Sequence, residues 1–154
     1  MNFDPDFLTA VEDSDICSAY YSLCREHPLR IGAPIEKAPA TALLKAAAGR
    51  VSLSKLSGPG TVFQLGGLPD NLSLTFIVQS RTRIETGFAI PFKEVQQQGT
   101  FAILCNAALT QSKMKVPSPP YPRPESHSVE ELLAIFQEFD ALVRKLASVA
   151  GNAR

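Results

Sequence analysis

The spacing of apolar residues changes twice along the chain, from helical to alternating and back. Phe7, Leu8 and Val11 follow an Asp4-Pro5 start at helical spacing, with proline where the first turn makes no use of its missing N–H. From about Asp13 a second run puts Ile16, Tyr20, Leu23 and Cys24 on one stripe until Pro28 stops it. The pattern leaves open whether these runs are one bent helix or two. Pro28, Gly32, Pro34 and Pro39 mark residues 28–39 as a connecting loop, and ATALLKAAAG reads as a short helix closed by Gly49.

Beyond Arg50 the period becomes two. Val51 and Leu53 begin a strand, SGPG turns the chain, and Val62, Phe63 and Leu65 begin another that ends at Gly66-Gly67. After LPDN, the run LSLTFIVQS places Leu72, Leu74, Phe76 and Val78 on one face. In RTRIETGFAIPF, alternation puts Ile84, Phe88, Ile90 and Phe92 on one face and Arg81, Arg83 and Glu85 on the other. Connections this short cannot make parallel crossovers, so residues 50–92 are expected to form an antiparallel meander of about four strands.

The helical period then returns. Thr100 caps a predicted short helix over 100–111, FAILCNAALTQ, with a strand at FAILC the competing reading. Ser128 and Glu131 form an S-x-x-E capping box. Behind it Leu132, Phe136, Phe139, Val143 and Leu146 mark the buried stripe of a long helix over 128–150, ended by Gly151. The expected fold is α+β: one domain over 1–154, with a helical part at 1–49, the sheet at 50–92 and a C-terminal helix. A chain of 154 residues that is 45% hydrophobic is long and apolar enough for one core.

Charge narrows the function classes. Lys and Arg number 15 against 15 Asp and Glu, so there is no basic excess of the kind that binds nucleic acid or anionic membranes. The charges are nevertheless segregated. Residues 1–26 carry six acids and one base, 27–124 carry eleven bases and four acids, and 125–154 carry five acids and three bases. Acidic helices packed beside a basic sheet region account for this pattern. No stretch approaches a membrane span, and MNFDPDFL lacks the basic and apolar regions of a secretory signal. Cys17, Cys24 and Cys105 are odd in number and contain no CxxC, which points to a cytoplasmic protein; two of them, in IC and LC contexts, read as small buried apolar residues.

Catalytic chemistry finds no foothold. GxSxG, HExxH, Walker and dinucleotide fingerprints are all missing, and GPGTVFQLGG lacks their spacing. His27 and His127 flank helix termini at unrelated spacing, so neither a metal centre nor a cofactor site is expected. Glu130 and Glu131, like Asp13 and Asp15, read as first-turn carboxylates that favour the helix dipole. Arg81, Arg83 and Glu85 are the most suggestive polar group: on one sheet face they grip an acidic partner loop or pair across strands.

Five of the eight residues in PSPPYPRP, 117–124, are proline. The tract misses both the basic offset of a PxxP ligand and the spacing of PPxY, and it runs straight into a core-facing helix. It reads as a stiff, extended crossover of polyproline II character, with the Tyr121 ring packed on the body.

The order LTFIVQSRTRIETGFAI, GTFAILCNAAL, PPYPRP and an S-x-x-E-opened helix, spanning roughly residues 70–147, resembles small bacterial immunity proteins of polymorphic toxin systems. The resemblance implies a cytoplasmic, non-enzymatic protein that binds a cognate toxin one to one and blocks its active site or substrate entry. It would use no cofactor, and its partner would be neither nucleic acid nor membrane. Near-neutral charge departs from the acidic character suited to inhibiting a basic nuclease. Arg81, Arg83, Glu85, Tyr121 and Arg123 are the expected partner contacts, because arginine and tyrosine are enriched at interface anchors. A secretion chaperone or adaptor, and a small ligand-binding domain or enzyme, are the alternatives.

Overall fold

A computed structural model describes residues 2–58 and 60–152. The two N-terminal runs are separate helices, α1 (Pro5–Glu12) and α2 (Ile16–Glu26). Asp4 caps α1 by accepting a bond from the Asp6 N–H, and Asp13 closes it. Asp13 and Asp15 therefore occupy the break between the helices rather than a first turn. Helix α3 (Ala40–Ala47) ends as expected, with Gly49 at φ 81°, a left-handed position that favours glycine.

Five antiparallel strands follow in simple meander order: β1 (Leu53–Lys55), β2 (Thr61–Leu65), β3 (Ser73–Gln79), β4 (Arg83–Phe92) and β5 (Val95–Gly99). The fifth exceeds the sequence expectation. Its segment VQQQG has no apolar alternation, yet Phe92 pairs with Val95 and Phe88 with Gly99. The carboxamide of the buried Gln97 accepts the Asp4 N–H at 2.9 Å, which ties this strand to the start of α1. The two-residue link Lys93-Glu94 has positive φ at both positions, as a tight hairpin requires, without the usual Asn-Gly.

Phe101–Gln111 is helix α4, capped by the Thr100 hydroxyl, which accepts the Ile103 N–H. Helix α5 (Val129–Asn152) runs through Gly151 instead of stopping there. Its buried stripe is Leu133, Ile135, Phe136, Phe139, Leu142, Val143, Leu146 and Ala150. Leu132, expected within the stripe, is half-buried at its margin.

Aromatic rings join the helices to the sheet. Phe136 stacks on Phe76 with centroids 4.1 Å apart, and Phe139 lies within 6.1 Å of Tyr20, Phe76 and Phe101. Phe88 meets Phe101, and Phe7 meets Phe92, so α4 and α1 cover the far end of the same sheet face. These contacts belong to one continuous cluster of buried residues.

The cysteines correct the sequence reading. Cys17 of α2 and Cys105 of α4 form a disulfide, with Cα atoms 5.4 Å apart across 88 residues of sequence. Helix packing alone brings them together, so spacing gave no sign of it. Cys24 remains a free, buried thiol, which burial pushes up to about 12. No helix among the described residues is long and apolar enough to cross a membrane.

Two outcomes follow. Unfolded protein kept free of reductant should titrate one thiol rather than three, and reduction should cost about 2–4 kcal/mol in urea denaturation. Phe136→Ala should cost about 3–5 kcal/mol by the same measurement, because the cavity would open beneath the stack on Phe76.

Candidate partner surface and the Glu131 network

The polar residues of interest gather where three segments meet: the loop 28–39, the turn between β3 and β4, and the crossover that leads into α5. The crossover is fastened by its backbone. Its Pro124 carbonyl accepts the Ile84 N–H at 3.0 Å, the Ser126 N–H reaches the Thr82 carbonyl at 2.7 Å, and the Glu125 N–H reaches that of His27 at 2.8 Å. Residues 124–126 thereby extend the edge of β4 beyond β5, with Arg83 and Glu125 bridged as antiparallel partners. The buried Tyr20 hydroxyl adds a 2.6 Å bond to the Pro122 carbonyl.

That fastening uses most of the residues expected to contact a partner. Arg83 bonds Glu125 at 3.1 Å, whose other oxygen takes the Thr82 hydroxyl at 2.6 Å. Arg123 is ion-paired with Glu85, which is itself buried. Arg81 does not share a face with these two. It sits in the turn, at φ 72° directly after Ser80 at φ 49°, so strand alternation ends before reaching it. Tyr121 differs from expectation as well: the residue is 42% exposed, and its φ of 58° interrupts the polyproline II path.

Arg81 instead lines a groove of about 370 Å³ with Ile35, Lys37, Val78, Ser126 and Leu132. The groove wall is the loop 28–39, whose hold on α5 the sequence did not reveal. Ser128 is the N-cap of α5 and accepts the Glu131 N–H at 3.0 Å, as the capping box predicts. The reciprocal half does not form. The Glu131 carboxylate reaches one residue further back, to the His127 N–H at 2.8 Å, and also takes His27 Nδ1 at 2.8 Å and Arg30 Nη2 at 2.9 Å. Glu36 supplies the next cap, accepting the Val129 N–H at 2.8 Å while its own N–H bonds the His127 carbonyl.

Burial by itself would push the Glu131 carboxyl up. The Arg30 guanidinium, the His27 ring and the His127 N–H that converge on it hold it down at about 2. His127 is buried alongside. Its Nε2 accepts the Arg30 N–H at 3.2 Å, so the ring proton sits on Nδ1, which lies 3.5 Å from Glu131 and has no hydrogen-bond partner among the described residues.

The loop is therefore pinned at Arg30 and at Glu36, and between these points it turns outward. The Ala33 N–H bonds the Arg30 carbonyl, with Gly32 at φ 82° where a type II turn needs a positive angle. This turn holds Ile31 out in solvent at 94% exposure, next to Leu29 at 52%. LRIGA, an apolar-rich stretch between Pro28 and Pro34, was the available signal for these two side chains. Nothing in sequence separation pointed to Glu131 meeting His27 and Arg30, about a hundred residues away.

No protein-family model matches the chain, and neither a curated protein nor a solved structure matches it.

Glu131→Gln should destabilise the fold by about 2–3 kcal/mol, because it leaves buried donors facing an uncharged amide. Glu131 has a folded-state pKa below its usual 4.5, so its contribution should be complete above that value and disappear as pH falls toward about 2. Urea midpoints of wild type and variant should converge over that acid range and stay apart at neutral pH.

Proposed function

We propose that this chain is a protein-binding module that neutralises a toxin by stoichiometric complex formation, acting without catalysis. One observation carries the reading: two large apolar side chains, Leu29 and Ile31, project into solvent from a loop whose backbone is fixed by Arg30, Glu36, His127 and Glu131. Exposed apolar residues on a mobile loop would lose ordering entropy on binding. Here the order already exists, and pre-organisation of this kind favours tight association. Arg81, in the turn beside the groove, and the exposed Tyr121 supply the anchor types enriched at interface centres. Arg83, Glu85 and Arg123 contribute indirectly, by holding the crossover in place.

The order of segments that resembles immunity proteins of polymorphic toxin systems supports the same reading and names the partner class. Disulfides persist in oxidising compartments and are reduced in the cytosol. The Cys17–Cys105 bridge therefore keeps a cytoplasmic location out of this proposal, and the thiol state of protein recovered from cells decides it.

Co-expression with the toxin encoded beside this gene should rescue growth, and the purified pair should elute as a one-to-one complex. Ile31→Asp together with Leu29→Asp should weaken that complex at least tenfold, by about 1.4 kcal/mol or more, with the melting temperature unchanged. Absence of rescue by the wild-type chain would sink the proposal. Rescue that survives the double variant would move the interface away from this loop.

A further inference from the structure

His27 occupies the C-cap of α2, and its ring lies between two carboxylates of α5. Glu131 and Glu138 are seven residues apart, about two helical turns, which puts them on one flank of the helix. Nδ1 of His27 lies 2.8 Å from Glu131, and Nε2 lies 3.6 Å from Glu138. A carboxylate accepts and never donates, so in the neutral ring the proton is on Nδ1, bonded to Glu131. The other ring nitrogen then presents a bare lone pair toward the Glu138 carboxylate.

Glu26, the last residue of α2, adds a third acceptor. One ligand atom each from Glu26, His27 and Glu138 can be chosen so that all lie within 4.8 Å of one another. Three acceptors converging without a donor repel one another, and a cation between them would offset that repulsion. Among the described residues the nearby lysine, Lys145, lines the same surface hollow but is ion-paired with Asp15, and Arg30 is engaged by Glu131. The arrangement of carboxylate, imidazole and open ring nitrogen is the one that orients histidine toward a metal, the carboxylate fixing the tautomer from behind.

We propose that Glu26, His27 and Glu138 form a binding site for a divalent transition-metal ion of the zinc class, with Glu131 as the positioning residue. One imidazole and two carboxylates suit zinc and its first-row neighbours. Calcium and magnesium favour sites built of oxygen alone. The ligands come from the end of α2 and the middle of α5, so the ion fastens these helices to each other. Three protein ligands leave a fourth tetrahedral position for water or for a side chain of a bound protein. The site does not depend on the toxin-binding proposal and stands or falls separately.

Untagged, metal-free protein tests it by calorimetric titration with Zn²⁺ and by the visible absorption of Co²⁺. The expected result is one saturable site of micromolar affinity, intense Co²⁺ bands of low coordination number, and no displacement by excess Mg²⁺. Glu138 is half-exposed and Glu26 exposed, so Glu138→Gln and Glu26→Gln should fold normally in the absence of metal. Each should weaken Zn²⁺ binding about tenfold or more, and His27→Gln should abolish it. Two results overturn the proposal: no saturable Zn²⁺ or Co²⁺ binding, which leaves only a proton between His27 and Glu138, or binding that Glu138→Gln leaves as tight as in wild type.

Discussion

The ring of Phe136, stacked 4.1 Å from that of Phe76, fixes the rotation of α5 about its own axis. Once that rotation is set, Phe139 three residues on must lie among Tyr20, Phe76 and Phe101. Helices α2 and α4 thus take their positions from the same ring cluster. The polar flank follows by geometry. With Phe136 turned to the sheet, Glu131 and Glu138 face away from it, toward the end of α2 where His27 and Arg30 are found. A hydrophobic constraint in the middle of one helix therefore decides which charged groups meet at its start.

Those charged groups show why the segregated charges of the sequence cancel in the fold. Basic residues of the central region reach acids of the flanking ones: Arg50 to Glu130, Arg83 to Glu125, Arg30 to Glu131 and Lys93 to Asp6. Exposed pairs such as Lys93 and Asp6 add little stability by themselves. The buried carboxylate of Glu125 matters more, because it takes a hydroxyl and a guanidinium at once where an unpaired charge would be costly. The crossover is held as much by that requirement as by its prolines.

Much of the fold was legible in the sequence because each element had a period. Alternation in LSLTFIVQS and RTRIETGFAIPF located β3 and β4, and the stripe from Phe136 to Leu146 located α5. Strand β5 escaped because VQQQG is paired on one side only and buries Gln97 where an apolar residue would ordinarily mark a strand. The site was far less legible. Alternation placed Arg81 with Arg83 and Glu85, but left-handed angles at Ser80 and Arg81 cancel the parity before the strand begins. The S-x-x-E box found Ser128 and Glu131, yet no local rule says that the glutamate will pass over its own cap and bind the preceding N–H, an imidazole and a guanidinium. The disulfide has the same character, joining helices whose proximity is decided only by the shared core.

Glu131 links the two surfaces of interest. The same carboxylate that anchors Arg30, and with it the turn carrying Ile31, also fixes the His27 ring whose outer nitrogen faces Glu138. Positive charge arriving at that nitrogen makes the inner N–H a stronger donor and tightens its bond to Glu131. A carboxylate held more firmly at His27 holds Arg30 and the His127 N–H in a narrower geometry, and the loop between Arg30 and Glu36 loses freedom with them. A cation at the proposed site and the rigidity of the exposed loop would then be linked through one side chain, Glu131. By the reciprocity of linkage, a partner gripping that loop would favour a cation at the proposed site to the same degree.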